Sequence, residues 1–246
     1  MLRRDAIALL LAAAPADGRA VVLLDLRTRR VITARHTGWI APPGSTLKPL
    51  VFSLLLRAKK LDPAEKVPCT GRLTIAGRRF DCSHPRLNTA VDLRTALAYS
   101  CNAFTAGVAG RFEPGELARG LARFGLNRTQ AADTREGSQL QALGEERVLA
   151  TPLELAGAYQ QVALAGDPAI LEGLRGAVEF GTAQRAAVPR VGVSGKTGSV
   201  RTPDGVRIAW FAGFTASTVV VVMLQGRSGG ADAAPVAAEL LQGVGR

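Results

Sequence analysis

Aromatic side chains make up only 5% of this 246-residue chain, and histidine and cysteine are scarcer still, at two and three copies. So few aromatics disfavour a nucleic-acid surface built on base stacking, although 31 Lys+Arg against 20 Asp+Glu leave a net charge of +11. Lysine itself is rare: only Lys48, Lys59, Lys60, Lys66 and Lys196 occur. The arginines are scattered, with the densest group at Arg27, Arg29 and Arg30. That distribution suits attraction to an anionic envelope better than a nucleic-acid stripe. Two histidines and three cysteines leave little room for a multi-ligand zinc centre, and neither metal nor cofactor is expected. The longest uncharged apolar run, Ala6 to Ala16, falls short of the roughly 20 helical residues that cross a bilayer. With 47% hydrophobic and 21% charged residues, the composition excludes a disordered, collagenous or coiled-coil chain.

Residues 1–16 resemble an export signal: Arg3 and Arg4, an apolar stretch, then Ala14-Pro15-Ala16 as a small-x-small site. An N-terminal apolar segment packed on the core is the alternative. Residues 17–246 read as a single domain. Ala20 to Leu26 and Val31 to Ala34 form a predicted hairpin. A buried helix is expected from Ser45 through Leu56, with Ser45 at its start and Pro49 in its first turn. Further helices are expected over Leu93 to Gly110, Glu116 to Phe124 and Pro152 to Ala165, the last announced by Thr151-Pro152. Three strands follow, Val191 to Val200, Val206 to Phe214 and Thr218 to Gln225, and a closing helix spans Pro235 to Leu241. The pattern predicts an α/β (α+β) domain. Its sheet draws on both termini (about residues 19–40 and 182–246) and its helical lobe is inserted between them (about 45–181).

Three short patterns stand out in order: Ser45-Thr46-Leu47-Lys48, Ser100-Cys101-Asn102 and Lys196-Thr197-Gly198. Each alone is common; together, on a helix start, a helical loop and a strand, they describe one catalytic layout. A serine hydroxyl needs an adjacent base to become a nucleophile, and i, i+3 spacing stacks Ser45 on Lys48. Burial and a second cation, Lys196, would both favour a neutral, basic Lys48. Backbone N–H groups at Ser45 and Ser199 are candidates for an oxyanion hole. Lys196 with the hydroxyls of Thr197 and Ser199 would hold a substrate carboxylate. Gly198 would let substrate backbone approach the strand. Ser100 would relay a proton to the leaving amine, and Asn102 would bind the substrate amide.

These residues resemble the transpeptidase domain of penicillin-binding proteins, within the serine β-lactamase and D,D-peptidase superfamily. The likeness extends through Pro42 to Pro49, Ala96 to Asn102, Thr151 to Ala156, Gly181-Thr182-Ala183, Ser194 to Ser199 and Ala209 to Phe214, across about residues 19 to 243. It implies a mostly antiparallel five-stranded sheet with flanking helices. It also implies an acyl-serine mechanism acting on the D-Ala-D-Ala end of peptidoglycan stem peptides, as transpeptidase or carboxypeptidase. β-Lactams would be covalent inhibitors, the location would be extracytoplasmic, and partner proteins would supply glycan polymerisation; no nucleic-acid partner is expected. A β-lactamase and a non-catalytic penicillin-recognising sensor or wall-binding scaffold are the competing functions. Where relatives often carry Gln-Gly before the Thr-Pro segment, this chain has Gly144-Glu145-Glu146-Arg147. No counterpart of the Glu-containing loop of class A β-lactamases is evident, and Asn102 stands where class D enzymes have valine.

Cys69 and Cys82 flank a predicted hairpin with its turn near Gly77, and read either as a disulfide or as two buried thiols. With His84 they make three candidate metal ligands, though their spacing fits no familiar zinc pattern. Cys101 is expected to pack inward, Trp210 and Phe211 to fill the sheet core, and His36 and His84 to be structural without a carboxylate partner.

Overall fold

The computed structural model describes residues 15–87 and 90–244. The export-signal expectation falls on a segment of which residues 1–14 lie outside the described residues. In chain order the strands are β1 (Arg19–Asp25), β2 (Val31–Arg35), β3 (Thr74–Ile75), β4 (Arg78–Arg79), β5 (Arg128–Thr129), β6 (Val148–Leu149), β7 (Ser194–Arg201), β8 (Arg207–Phe214) and β9 (Thr218–Gln225). The helices are α1 (Lys48–Arg57), α2 (Leu93–Ala98), α3 (Asn102–Ala109), α4 (Glu116–Arg123), α5 (Arg135–Ala142), α6 (Pro152–Ala165), α7 (Pro168–Glu179) and α8 (Ala234–Val244).

Five strands form one antiparallel sheet in the order β2-β1-β9-β8-β7, so the first and last parts of the chain share it. Its central strand, β9, is buried through all but its last residue. Alternation then supplies two apolar faces. Val219, Val221 and Met223 join Trp210 and Ala212 on the face covered by α6, while Val220, Val222 and Leu224 join Ala209 and Phe211 beneath α8. At roughly 25 cal/mol per Å² of apolar area, this double coverage drives the fold. α6 opens with a capping box, in which Thr151 accepts from the Glu154 backbone N–H and the Glu154 carboxylate accepts from that of Thr151.

Three expectations are corrected. The helix predicted over Leu93 to Gly110 is two helices, because Ser100 between them adopts φ +58, a left-handed conformation that no α-helix continues through. Ser45 caps no helix through its side chain; it lies in a 3-10 turn, Gly44–Leu47, which leads directly into α1. His36 does meet a carboxylate, with Nε2 3.5 Å from Asp17 at an exposed site. Elsewhere β3 and β4 form the expected hairpin, whose Ala76 and Gly77 both have positive φ, as a type I′ connection requires.

Candidate active site

The turn that carries Ser45 is fixed from several sides. Tyr159 of α6, fully buried, donates its hydroxyl to Thr46 O at 2.8 Å, and Trp210 of β8 donates Nε1–H to Pro42 O at 2.9 Å. The Thr46 hydroxyl donates to Pro43 O at 2.6 Å, and Gly44 N–H donates to Gly144 O at 3.1 Å. A Cβ on Gly144, whose φ is +73, would stand 2.2 Å from Gly44 O, so only glycine lets the two loops touch. Lys48 N–H closes the 3-10 turn on Ser45 O. A 3-10 turn eclipses i and i+3, which stacks Ser45 over Lys48 more directly than an α-helical turn would.

Lys48 is fully buried and uses all three ammonium donors. Its Nζ lies 2.8 Å from Ser100 O, 3.2 Å from Ser100 Oγ and 2.6 Å from Asn102 Oδ1. The left-handed backbone at Ser100 is what turns both its carbonyl and its hydroxyl toward one ammonium. Strain of this kind persists where surrounding contacts enforce it. Asn102 is held in turn by its Nδ2, which donates to Phe80 O at 3.0 Å. Burial lowers Lys48 to about 8, partly opposed by the neighbouring Cys101, Cys82 and Glu145 side chains.

The third motif arrives on β7. A Cβ on Gly198 would stand 2.7 Å from Pro43 O, and one on Gly44 would meet Val200 Cγ1 at 2.6 Å, so the strand lies directly against the Ser45 turn. Lys196 is fully buried, with Nζ 3.2 Å from Thr197 O. Burial first, then the charge of Lys48, hold Lys196 well below the usual lysine range. Thr197 Oγ1 donates to Thr182 Oγ1 at 2.9 Å, and Ser199 Oγ accepts from Gly229 N–H at 3.0 Å while its side chain faces solvent. The structure therefore gathers Ser45, Lys48, Ser100, Asn102 and the Lys196–Ser199 strand around one turn. The repulsion expected of Lys196 on Lys48 is felt on Lys196.

Two residues of this region were not singled out from sequence. Thr182, half-buried, extends the Thr197 hydroxyl line, and the Gly181-Thr182-Ala183 match already marked its position. Glu145 follows the Gly144 contact, and burial raises its carboxyl above the usual range against the pull of Arg78 and Lys48. Its signal was the departure from Gln-Gly at that point. Of the two readings left open for Cys69 and Cys82, the structure has the free thiols, half-buried and with sulfurs 3.7 Å apart.

Residues 20–169 match the family described as the penicillin binding protein transpeptidase domain. No curated protein has a sequence that matches significantly. Among solved structures, Pseudomonas aeruginosa PBP2 in complex with WCK 5153 superposes with a TM-score of 0.78 at 19% identity, over 93% of this chain and 74% of its own. The transpeptidase domain of Burkholderia pseudomallei penicillin-binding protein 3 gives 0.80 at 20% identity, over 92% of this chain and 87% of its own. Helicobacter pylori PBP2, solved with MreC, gives 0.79 at 13% identity, over 93% and 61%. At such identities these likenesses concern the fold, which they place with transpeptidase domains.

Proposed function

The chain belongs to the family of penicillin-binding protein transpeptidase domains, the cross-linking modules of peptidoglycan synthesis, and on that premise we propose that it is an acyl-serine D,D-peptidase with Ser45 as nucleophile. The observation that carries this reading is the buried Lys48 ammonium, which joins Ser100 and Asn102 one 3-10 turn from Ser45.

In the resting arrangement Lys48 donates to three acceptors, of which the Ser100 hydroxyl is the most distant. Once Lys48 is neutral it keeps two donors, enough for Ser100 O and Asn102 Oδ1, and gains one lone pair that is free to accept from Ser45. Neutral Lys48 takes the Ser45 Oγ proton as Oγ attacks the carbonyl of the penultimate D-alanine. The oxyanion is met by the N–H groups of Ser45 and Ser199. As the C–N bond breaks, Ser100 passes the proton from Lys48 to the departing D-alanine amine. The ester on Ser45 then goes to an acceptor amine or to water, with Lys48 removing the acceptor's proton. Asn102 aligns the substrate amide. Lys196, charged when a carboxylate is beside it, holds the substrate terminus with Thr197 and Ser199, and Gly198 keeps the strand edge open. The terminal carboxylate would stabilise the Lys196 ammonium that burial alone disfavours.

β-Lactams, as cyclic mimics of the dipeptide, would acylate the same oxygen. The site would work outside the cytoplasm, where stem peptides are found. The H. pylori neighbour was solved with the protein MreC, and another belongs to a peptidoglycan synthase complex that coordinates polymerization and crosslinking; both support a reading in which partners supply placement and glycan polymerisation. The test is D-alanine release from a stem pentapeptide, run beside turnover of a chromogenic cephalosporin. Release that is lost in Ser45→Ala supports the peptidase, rapid cephalosporin turnover without release supports a β-lactamase, and neither activity would leave only a non-catalytic scaffold.

A further inference from the structure

Four side chains with metal-binding atoms converge beside the active site, and no step of the proposed reaction uses them. Cys69, Cys82, His84 and Cys101 place one ligand atom each within 4.8 Å of all the others. The sulfur separations are 3.7 Å for Cys69–Cys82, 3.4 Å for Cys69–Cys101 and 3.8 Å for Cys82–Cys101, and His84 Nε2 is 3.7 Å from Cys69 Sγ. A disulfide needs sulfurs about 2.05 Å apart. Zinc–sulfur bonds of about 2.3 Å in a tetrahedron put neighbouring sulfurs about 3.8 Å apart. The observed spacing is that of ligands around a metal.

The surroundings are arranged for the same purpose. Each sulfur accepts a backbone N–H: Cys69 from Gly71 at 3.4 Å, Cys82 from Ala103 at 3.5 Å and Cys101 from Phe104 at 3.4 Å. Such bonds stabilise thiolates. His84 Nδ1 lies 2.8 Å from Pro85 O, which fixes the proton on Nδ1 and leaves the Nε2 lone pair facing the sulfurs. Three cysteines would leave one thiol over from any disulfide, whereas three cysteines and one histidine complete a four-ligand set.

We propose that Cys69, Cys82, His84 and Cys101 bind one structural zinc ion in tetrahedral Cys3His geometry. The set is closed, with no position left for substrate, so the metal's task is fastening rather than catalysis. It ties the arm that includes β3 and β4 to the junction of α2 and α3. Cys101 lies between Ser100 and Asn102, and Asn102 Nδ2 reaches Phe80 O on the arm, so the metal fixes the segment that holds Lys48. Sequence spacing hid the site because Cys101 enters from a separate element, 32 residues beyond Cys69.

The test measures metal on untagged full-length protein by mass spectrometry of the element, and repeats it after Co(II) exchange. About one zinc per chain is expected, with Co(II) giving thiolate charge-transfer and tetrahedral ligand-field bands. Cys69→Ser and His84→Ala should each weaken zinc binding by at least about a hundredfold, beyond the about 10–100-fold typical of outer-shell changes. Chelation of wild type should lower Tm and slow Ser45 acylation. Protein that holds no metal after zinc reconstitution, or intact-mass and peptide data showing a Cys69–Cys82 disulfide, would overturn the assignment. Because metal content is read without substrate, it stands or falls apart from the peptidase reading.

Discussion

Raising the pH should switch on acylation of Ser45 with the titration of Lys48. The structure lowers this amine from 10.5 to about 8, chiefly by burial. At that value roughly one-tenth of the chains carry a neutral Lys48 at pH 7, against about one part in 3000 for an ordinary lysine. The difference corresponds to about 3 kcal/mol in favour of the neutral amine. If neutral Lys48 removes the Ser45 proton, the second-order rate of acylation by a fluorescent penicillin should rise about tenfold per pH unit below 8 and level off above it, roughly a hundredfold in all between pH 6 and 9. Stopped-flow fluorescence at constant ionic strength would measure it. A rate flat from pH 6 to 9, or one climbing without a bend past pH 10, would refute the role given to Lys48.

Three further outcomes follow from the same contacts. Glu145→Gln removes a carboxylate that favours the charged amine, so the bend in the acylation profile should move below pH 8; an unmoved bend would show that Glu145 does not act on Lys48. Gly144→Ala forces a left-handed alanine, costing about 1–2 kcal/mol, and presses its Cβ on Gly44 O, with overpacking worth about 1–3 kcal/mol. Denaturant titration should show the loss, and acylation should slow because the Ser45 turn shifts. Between pH 8 and 10.5 the unfolded chain holds a proton at Lys48 that the folded chain has given up, so stability should rise with pH in that window. Urea unfolding at pH 8 and 10 should show the gain in wild type and a smaller one in Lys48→Met.

Much of the fold is written in local pattern. β9 and α6 occupy the residues expected of them, because a continuous apolar run and a Thr-Pro cap are signals that tertiary contacts only reinforce. α7 went unread, although Asp167-Pro168 offers the same kind of start as Thr151-Pro152. The break at Ser100 has no local mark: serine rarely adopts positive φ, and only the contacts around Lys48 enforce it there. The three motifs made Ser45, Lys48 and Lys196 candidates, but did not show that Lys48 spends its donors on Ser100 and Asn102. Nor could spacing show that Cys101 meets Cys69, since the arm between them folds back through contacts distant in sequence.

The most direct measurement is intact-mass analysis followed by peptide mapping after brief exposure to benzylpenicillin. One penicilloyl adduct per chain, located on the peptide containing Ser45 and missing from a folded Ser45→Ala variant, is the predicted result. An unmodified wild-type chain at saturating drug, or an adduct that persists in Ser45→Ala, would contradict the account.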